Sequence, residues 1–191
     1  MRIPVLSLLL LAVVPGSVLA DIGSPPRTAL PARAKRSLTV TSSAFRANEV
    51  IPPEYTCDGT HVAPPLSWSA VPKGARSVAI FVEDPDATAG AFTHWLITGI
   101  PPTTRSIPVG GALPEGAVAG KNGKGDAGYT GPCPPSGRHH YHFHVYALEM
   151  TIPAPGSKSE FLAAIEGHIL ADGELIGTYR KVAADKLSNP R

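Results

Sequence analysis

Charge is scarce in this chain. Only 17% of its 191 residues are charged, and the formal net charge is +2 at pH 7. A nucleic-acid-binding protein normally carries a strongly basic surface that neutralises phosphates. The near-neutral balance argues against a nucleic-acid partner.

Common catalytic motifs are missing as well. The sequence holds no G-x-S-x-G nucleophile elbow, no H-E-x-x-H zinc motif and no C-x-x-C pair, which removes the most recognisable hydrolase, metalloprotease and redox classes. The run GKNGKG at 120–125 lacks the spacing of a nucleotide-binding P-loop and the apolar strand before it. Nothing in the sequence requires catalysis, so we expect a non-enzymatic protein without a cofactor.

Cysteine is limited to Cys57 and Cys133. An even number permits one disulfide in an oxidising compartment. Such a bond would close a long loop and stabilise the fold by on the order of 4 kcal/mol in the chain-entropy model. Two free, partly buried thiols are the alternative, because the sequence does not show whether the two Cα atoms come within bonding range.

The N-terminal residues carry the pattern of a secretory signal. Arg2 provides a positive start, an apolar run follows, and small residues precede a predicted cleavage after Ala20. The run is short for a membrane span, and no cysteine for lipid attachment follows the cleavage site. We therefore predict a secreted or periplasmic protein without stable membrane insertion, and an uncleaved N-terminal anchor is the alternative. The predicted organisation is a signal peptide at 1–20, a disordered Pro/Arg-rich tether at 21–37, one domain at 38–184 and a tail at 185–191.

Glycine and proline are abundant, with 19 and 21 residues, which predicts turns and extended segments rather than long helices. A capping box that starts at Ser157, followed by apolar residues at helical spacing up to Ile169, predicts one helix late in the chain. The rest reads as strands, so the predicted fold is mainly β. The strands are predicted at 38–42, 77–82, 92–97, 141–148 and 174–182, with another entered through 64–68.

Two aspartates, Asp84 and Asp86, end a predicted apolar strand. On an extended backbone they would lie on the same side, where they could bind a metal, orient cationic donors or act as an acid–base pair. A strand-terminating Asx turn is the alternative. His94 follows on the next strand, where strict alternation puts Phe92, His94 and Leu96 on one face. For His94, a buried side chain with a satisfied hydrogen bond is the alternative to a ligand contact.

A histidine-rich strand follows a Gly/Pro-rich loop. Period-two alternation puts His140, His142 and His144 on one face, and residues two apart stand roughly 6.5–7 Å from each other. Two of these imidazoles could share a zinc ion, but three on one straight strand rarely can. A polar sheet face that carries histidines by chance is therefore the simpler interpretation.

The opposite face of that strand begins with His139 and Tyr141. Imidazole and phenol are donors that suit the oxygens of an anion. Backbone N–H groups in the preceding loop, at Thr130 and Gly131, could add further donors. This pattern indicates an oxyanion pocket that lacks an evident nucleophile.

A series of short motifs runs through the chain in a fixed order. The motifs are CDG at 57–59, PPLSW at 64–68, DPDA at 84–87, HW at 94–95 with IP at 100–101, GYTGPCPPSG at 128–137, HHY at 139–141 and VYAL at 145–148. Taken in this order, they strongly resemble the phosphatidylethanolamine-binding protein (PEBP) family, in its bacterial Raf-kinase-inhibitor-like branch. The resemblance covers about residues 38–179, and the whole series is specific where a single Asp-Pro-Asp is not.

The resemblance implies an antiparallel β-sandwich, with a large sheet packed on a smaller one and one or two short peripheral helices. It also implies a small pocket that accepts phosphate, phosphoryl-ethanolamine or a similar anion. Its carboxylates would orient and charge the histidines, or accept from a protonated phosphate or an ammonium group. The implied pocket residues are Asp84, Asp86, His94, Gly131, Pro132, His139 and Tyr141.

We therefore expect a binding protein for a small anionic or phosphorylated ligand, which could also modulate or inhibit a protein partner. Two alternatives stay open. One is a hydrolase or metalloenzyme that uses the Asp and His residues of the pocket, and the other is a protein–protein module whose pocket is vestigial.

Three positions depart from the family pattern. Thr88 stands where many members have proline, His140 stands where arginine is commoner, and Lys124 lies in a segment where an aromatic residue is usual. The last two change the charge near the implied pocket and therefore the ligand preference. The C-terminal segment that extends the eukaryotic members has no counterpart in this sequence, so kinase inhibition is not part of the expectation.

Overall fold

The computed structural model describes residues 30–31 and 37–181. Within them the chain forms eight strands, one α-helix and a 3-10 helix at Pro53–Tyr55. The other elements are β1 (Val40–Thr41), β2 (Leu66–Trp68), β3 (Ser77–Asp84), β4 (Phe92–Ile100), β5 (Ser106–Ile107), β6 (Val118–Ala119), β7 (His139–Leu148), α1 (Lys158–Ile165) and β8 (Ile169–Tyr179).

The larger sheet has the order β6-β4-β3-β7-β8, and every neighbouring pair in it is antiparallel. Its centre is β3, whose eight residues are all buried, in agreement with the nearly continuous apolar run of that segment. In the pairing of β3 with β7, Glu83 lies opposite His142. The end of β3 therefore lies beside the beginning of β7.

The larger sheet is covered on both faces. The smaller sheet, β1-β2-β5, packs on one face through a shared apolar core, and α1 covers the other face. The predicted antiparallel sandwich with a short peripheral helix is therefore confirmed. The core between the sheets includes Val40, Leu66, Trp68 and Ile107 from the smaller sheet and Ile80, Trp95, Tyr141 and Phe143 from the larger one, whereas Phe81, Leu96, Phe161, Leu162 and Ile165 pack under the helix.

Helix α1 begins where the capping box predicts. Ser157 is the N-cap, and its hydroxyl accepts the N–H of Glu160 at 3.2 Å, which satisfies one of the unpaired donors of the first turn. The helix ends at Ile165, and Gly167 follows with φ of 78°, a left-handed conformation that glycine adopts without strain. The prediction that the helix reaches Ile169 was wrong, because this glycine stops it and Ile169 opens β8.

A bulge in β4 decides which side of the sheet His94 faces. The register of β3 and β4 shifts between Val82 and Glu83, where His94 is the extra residue of β4. An extra residue interrupts the alternation of side chains. The prediction that His94 shares a face with Leu96 was therefore wrong: Leu96 packs under α1, whereas the His94 ring stands edge-on to Tyr141 with centroids 5.2 Å apart.

Some predicted segments cannot be compared with the structure. The signal peptide at 1–20, the tail at 185–191, the domain boundary at 184 and most of the tether at 21–37 lie outside the described residues. Among the residues that are described, no helix has both the length and the apolar character needed to cross a membrane.

Candidate functional site

A cavity of about 310 Å³ opens where β3 ends and where β4 and β7 begin. The strand ends form one wall, and the loops at 87–90 and 130–135 form the others. Its volume is at the lower end of the range for small-molecule sites. The polar side chains that line it are Asp84, Thr88, His94, Lys124, Thr130 and His139.

Asp84 and His139 form a buried pair in the cavity wall. Asp84 ends β3 and His139 begins β7; the Asp84 Oδ2 atom lies 2.7 Å from His139 Nδ1, and the side chains are only 6% and 8% exposed. Asp84 Oδ1 also accepts the N–H of Asp86 at 2.9 Å, so the Asx turn and the pairing with histidine exist together. Because the carboxylate engages Nδ1, the second ring nitrogen of His139, Nε2, is the one that can serve a ligand.

His94 is held from the opposite wall. Its Nδ1–H donates to the carbonyl oxygen of Thr130 at 2.6 Å, and its own carbonyl accepts the N–H of Thr130 at 2.9 Å. Burial lowers the pKa of His94 from 6.5 to about 4. The imidazole is therefore neutral at pH 7, and its Nε2 atom is a hydrogen-bond acceptor in that state.

The loop that closes the cavity is fixed from behind. The Gly131 N–H donates to His61 Nδ1 at 2.9 Å, and the Pro132 carbonyl accepts the N–H of Cys57 at 3.0 Å. A Cβ atom on Gly131 would come within 2.7 Å of the Tyr55 carbonyl oxygen, so the close approach requires glycine. The expectation that the Gly131 N–H faces a ligand was wrong, because His61 already accepts it.

A disulfide strengthens the same attachment. Cys57 and Cys133 are bonded, with their Cα atoms 5.3 Å apart across a separation of 76 residues. Cys133 also lines the cavity. The bond therefore ties the loop at 130–135 to the segment after the 3-10 helix. The sequence left open whether the two cysteines are bonded or free, and in the structure they are bonded.

Tyr141 lies behind the cavity rather than in its wall. Its side chain is completely buried, and its Oη atom makes no hydrogen bond of acceptable geometry within the described part of the chain. Burial raises the pKa of the phenol, and the nearby carboxylates of Asp84 and Asp86 add to this effect. Tyr141 therefore offers a neutral O–H donor close to the carboxylate of the buried pair.

Asp86 turns away from the cavity. Its Oδ2 atom accepts the backbone N–H of His140 at 2.9 Å and the ring Nδ1–H of His140 at 2.7 Å, and the side-chain bond is the main reason why the pKa of Asp86 is lowered. The expectation that the two aspartates point the same way was wrong, because residues 85–86 form a turn rather than an extended strand. A role of Asp86 in ligand binding stays a prediction.

Two cationic or potentially cationic groups of the site have no clear signal in the sequence. His61 sits in a polar loop with φ of 64°, and its partner Gly131 is 70 residues away. Lys124 is recognisable only as a departure from the family pattern, yet it lines the cavity. Both groups contribute to the lowered pKa of His94, after burial.

The arrangement offers both donors and acceptors to a small polar ligand. Lys124 supplies a positive charge at the cavity, while Asp84 supplies a negative charge that holds His139 in place. The neutral Nε2 of His94 suits a protonated oxygen or an ammonium group. A phosphoryl group that carries a proton fits this mixture of donors and acceptors better than a fully ionised one.

A sequence profile of the family described as Phosphatidylethanolamine-binding protein matches residues 41–180. Two antiparallel sheets and a cavity at the strand ends agree with that match. The chain belongs to the PEBP family, as its motifs predict.

Relatives of known sequence and structure support the same assignment. The chain is 46% identical over 150 residues to a UPF0098 protein of Methanothermobacter thermautotrophicus, which covers 75% of this chain and 99% of that protein. It is 40% identical over 153 residues to LppC of Mycobacterium tuberculosis, a protein named as a lipoprotein, with 78% and 75% covered.

Two solved structures share the fold. The PEBP homologue CT736 of Chlamydia trachomatis has a TM-score of 0.72 and 38% identity, with 77% of this chain and 99% of that chain covered. YbcL of Escherichia coli, described as a new member of the mammalian PEBP family, has a TM-score of 0.72 and 34% identity, with 76% and 99% covered. At these identities the likeness extends beyond general topology to the family itself.

Proposed function

We propose that this protein is a non-enzymatic binding protein whose cavity holds the phosphate or phosphoryl group of a small ligand. The observation that carries the proposal is the buried pair of Asp84 and His139, joined at 2.7 Å in the cavity wall. A carboxylate that accepts from Nδ1 keeps the imidazole oriented and leaves Nε2 for the ligand. Lys124 adds positive charge at the same cavity.

Binding of a phosphoryl group should be coupled to a proton. His94 is neutral down to a pH near its pKa of about 4, so it either accepts from a protonated phosphoryl oxygen or takes up a proton when an anion arrives. A phosphate monoester has lost its phosphoryl proton above a second pKa of about 6, so in both cases its complex holds a proton that the separate partners do not hold at pH 7.5. The affinity for a phosphate monoester such as phosphoethanolamine should therefore rise as the pH falls from about 7.5 toward 5.5.

A protein partner can present the same chemical group. A phosphorylated side chain carries the oxygens and charge of a free phosphate, and the cavity opens to solvent beside the exposed residues of the loop at 87–90. Capture of such a side chain would let the protein modulate or inhibit that partner.

A hydrolase has weaker support from the site. A carboxylate–imidazole pair such as Asp84 and His139 can orient a general base. Among the described residues that line the cavity, however, the aliphatic hydroxyls belong to Thr88 and Thr130, and Cys133 is held in a disulfide. We therefore propose binding without turnover, and a phosphoesterase assay on the same samples tests this part directly.

We also propose that the protein is exported. The predicted signal peptide at 1–20 and the disulfide support this, since disulfides form and persist in oxidising compartments. Mass spectrometry of the protein from the exported fraction of its natural host should find Asp21 as the first residue. A chain that retains Met1 and stays in the reducing compartment would contradict export.

The binding proposal can be tested by NMR titration of phosphate into the full mature chain. The signals of His94, His139 and Tyr141 should shift together at millimolar phosphate, whereas His168 on the surface should not. His139→Gln and His140→Gln form a matched pair, because both histidines bond to an aspartate at 2.7 Å but only His139 lines the cavity. His139→Gln should abolish the shifts and His140→Gln should preserve them; no shift at all, or equal loss in both variants, contradicts the proposal.

A further inference from the structure

A second polar cluster lies on the face of the larger sheet that α1 covers. In the pairing of β7 with β8, His144 stands opposite Glu174, and His142 is the next residue of β7 on the same face. His142 Nδ1 lies 2.7 Å from Glu174 Oε1, and His144 Nδ1 lies 3.5 Å from the same oxygen. One ligand atom from each of the three residues lies within 4.8 Å of the others.

We propose that His142, His144 and Glu174 bind a divalent transition-metal ion of the zinc class. Two imidazole nitrogens and one carboxylate oxygen are a common protein ligand set for Zn²⁺, with water in the fourth position. A tetrahedral zinc ion keeps its ligands roughly 3.3 Å apart, which is close to the 2.7 and 3.5 Å that separate Glu174 Oε1 from the two rings. The third ligand comes from β8, so the site does not need three histidines in line on one strand.

The surroundings hold His144 in the orientation that a metal ligand needs. Its ring stacks against those of Phe81 and Tyr146, with both centroid distances 5.9 Å. Its other nitrogen, Nε2, lies 3.9 Å from Glu83 Oε1, and Lys158 of α1 holds Glu83 through an ion pair at 2.5 Å. Metal-bound histidines usually donate their second N–H to a carboxylate; Glu83 stands on that side of His144, but 3.9 Å is too long for a hydrogen bond.

The cluster is accessible to an ion although it is partly buried. The side chains of His142 and Glu174 are 25% and 21% exposed, while that of His144 is 9% exposed. In the metal-free protein the Nδ1–H of His142 donates to Glu174. Metal binding replaces that hydrogen bond: the proton moves from Nδ1 to Nε2 by exchange with solvent, so the ring stays neutral, and the Nδ1 lone pair and the carboxylate oxygen both turn to the ion.

His140 does not belong to this site although it shares the alternation of His142 and His144. Its ring is bonded to Asp86, at the start of the strand and two residues before His142. It therefore provides a matched control on the same strand, and His168, bonded to Glu149 at 3.0 Å, provides a control elsewhere on the surface.

The test is a calorimetric titration of Zn²⁺ into the full chain, freed of metal by a chelator and carrying no histidine tag. We expect one Zn²⁺ per chain and no comparable binding of Mg²⁺, which prefers oxygen ligands. His142→Gln and Glu174→Gln should each lower the affinity at least roughly tenfold. His140→Gln and His168→Gln should leave it unchanged. The thermal unfolding midpoint of each metal-free variant checks that the variant is folded. We expect both variants to fold, because the side chains of His142 and Glu174 are partly exposed.

Imidazole NMR signals locate the ion. Zinc should shift the ring nitrogens of His142 and His144 and leave those of His94 and His139 in place. The proposal is wrong if zinc binding does not saturate near one ion per chain, if His142→Gln and Glu174→Gln bind as the unmodified chain does, or if the shifts fall on the cavity histidines. The first two outcomes do not bear on phosphate binding, since that site lies on the other face of the sheet.

Discussion

The two faces of β7 place histidines in opposite electrostatic settings. On the cavity face, His94 of the neighbouring β4 is buried, donates to the Thr130 carbonyl and has its pKa lowered to about 4. On the helix face, His142 and His144 stand beside the carboxylate of Glu174. The two proposals therefore assign the same kind of side chain to an anion on one face and to a cation on the other, because its partners and its solvent exposure differ.

Loss of the disulfide should have the largest effect, and it should weaken phosphate binding in the cavity without weakening zinc binding on the helix face. The bond closes a loop with a separation of 76 residues, so Cys57→Ser with Cys133→Ser should lower the free energy of unfolding by about 4 kcal/mol in the chain-entropy model. Phosphate affinity should fall, because the cavity loop loses its covalent attachment and keeps only its hydrogen bonds. Urea unfolding measures the stability, and titrations with phosphate and with zinc measure the two affinities. A fall in zinc affinity as large as the fall in phosphate affinity would show that the two faces are not independent.

The next largest effect should be a pH dependence of stability that arises from His94. Its pKa is about 4 in the folded protein and 6.5 in the reference state, so between these values the unfolded chain binds more protons than the folded one. The free energy of unfolding should therefore fall as the pH drops from 6.5 to 4, by up to about 3 kcal/mol from this group. That pKa value already contains the electrostatic effects of three neighbouring groups, which are Asp84, Lys124 and His61.

The contribution of His94 can be isolated by difference. His94→Gln can still donate to the Thr130 carbonyl but does not titrate. The stability gap between the unmodified chain and this variant should narrow by most of that amount between pH 7 and pH 4, as measured by denaturant unfolding at each pH. His168→Gln is the control, and a gap that stays constant with pH would contradict the neutral state of His94.

Tyr141→Phe should have a smaller effect, in which the stability is kept or raised while the phosphate affinity falls. The Tyr141 Oη atom is buried without a well-formed hydrogen bond, so its removal should leave the stability of the ligand-free protein unchanged or raise it by about 1 kcal/mol. Phosphate affinity should fall, because a donor next to Asp84 is lost. A fall in stability greater than about 1 kcal/mol would show instead that the hydroxyl is bonded in solution.

The smallest effect should come from the charge of Lys124. Lys124→Gln removes a positive charge that lines the cavity and should weaken phosphate binding roughly twofold at low salt and less at high salt. Lys121→Gln is the matched control, because Lys121 is exposed three residues earlier and does not line the cavity. Equal changes in both variants would indicate a general charge effect rather than a contact in the site.

Local and family patterns predicted the main elements of the fold. The unbroken apolar run of β3 and the capping box of α1 each involve only a few neighbouring residues, so both can be recognised in the sequence. The ordered series of motifs identified the family, and with it the meeting of Asp84 and His139, whose positions are 55 residues apart.

Other features of the site depend on contacts that no local pattern encodes. The bulge that turns His94 toward Tyr141 is one extra residue in β4. The residue types around it do not indicate a bulge. The N–H of Gly131 is taken by His61, a partner that only the folded chain brings near. Alternation grouped three histidines on one face, but the carboxylate that gathers His142 and His144 comes from β8.

A crystal structure of the protein soaked with phosphate and with phosphoethanolamine tests the central claim most directly. The account predicts a phosphoryl group in the cavity, within hydrogen-bond distance of His139 Nε2 and near His94 and Lys124, with no phosphoryl group at the cluster of His142, His144 and Glu174. A cavity without the ligand at saturating concentration, or a phosphoryl group bound elsewhere, would contradict it.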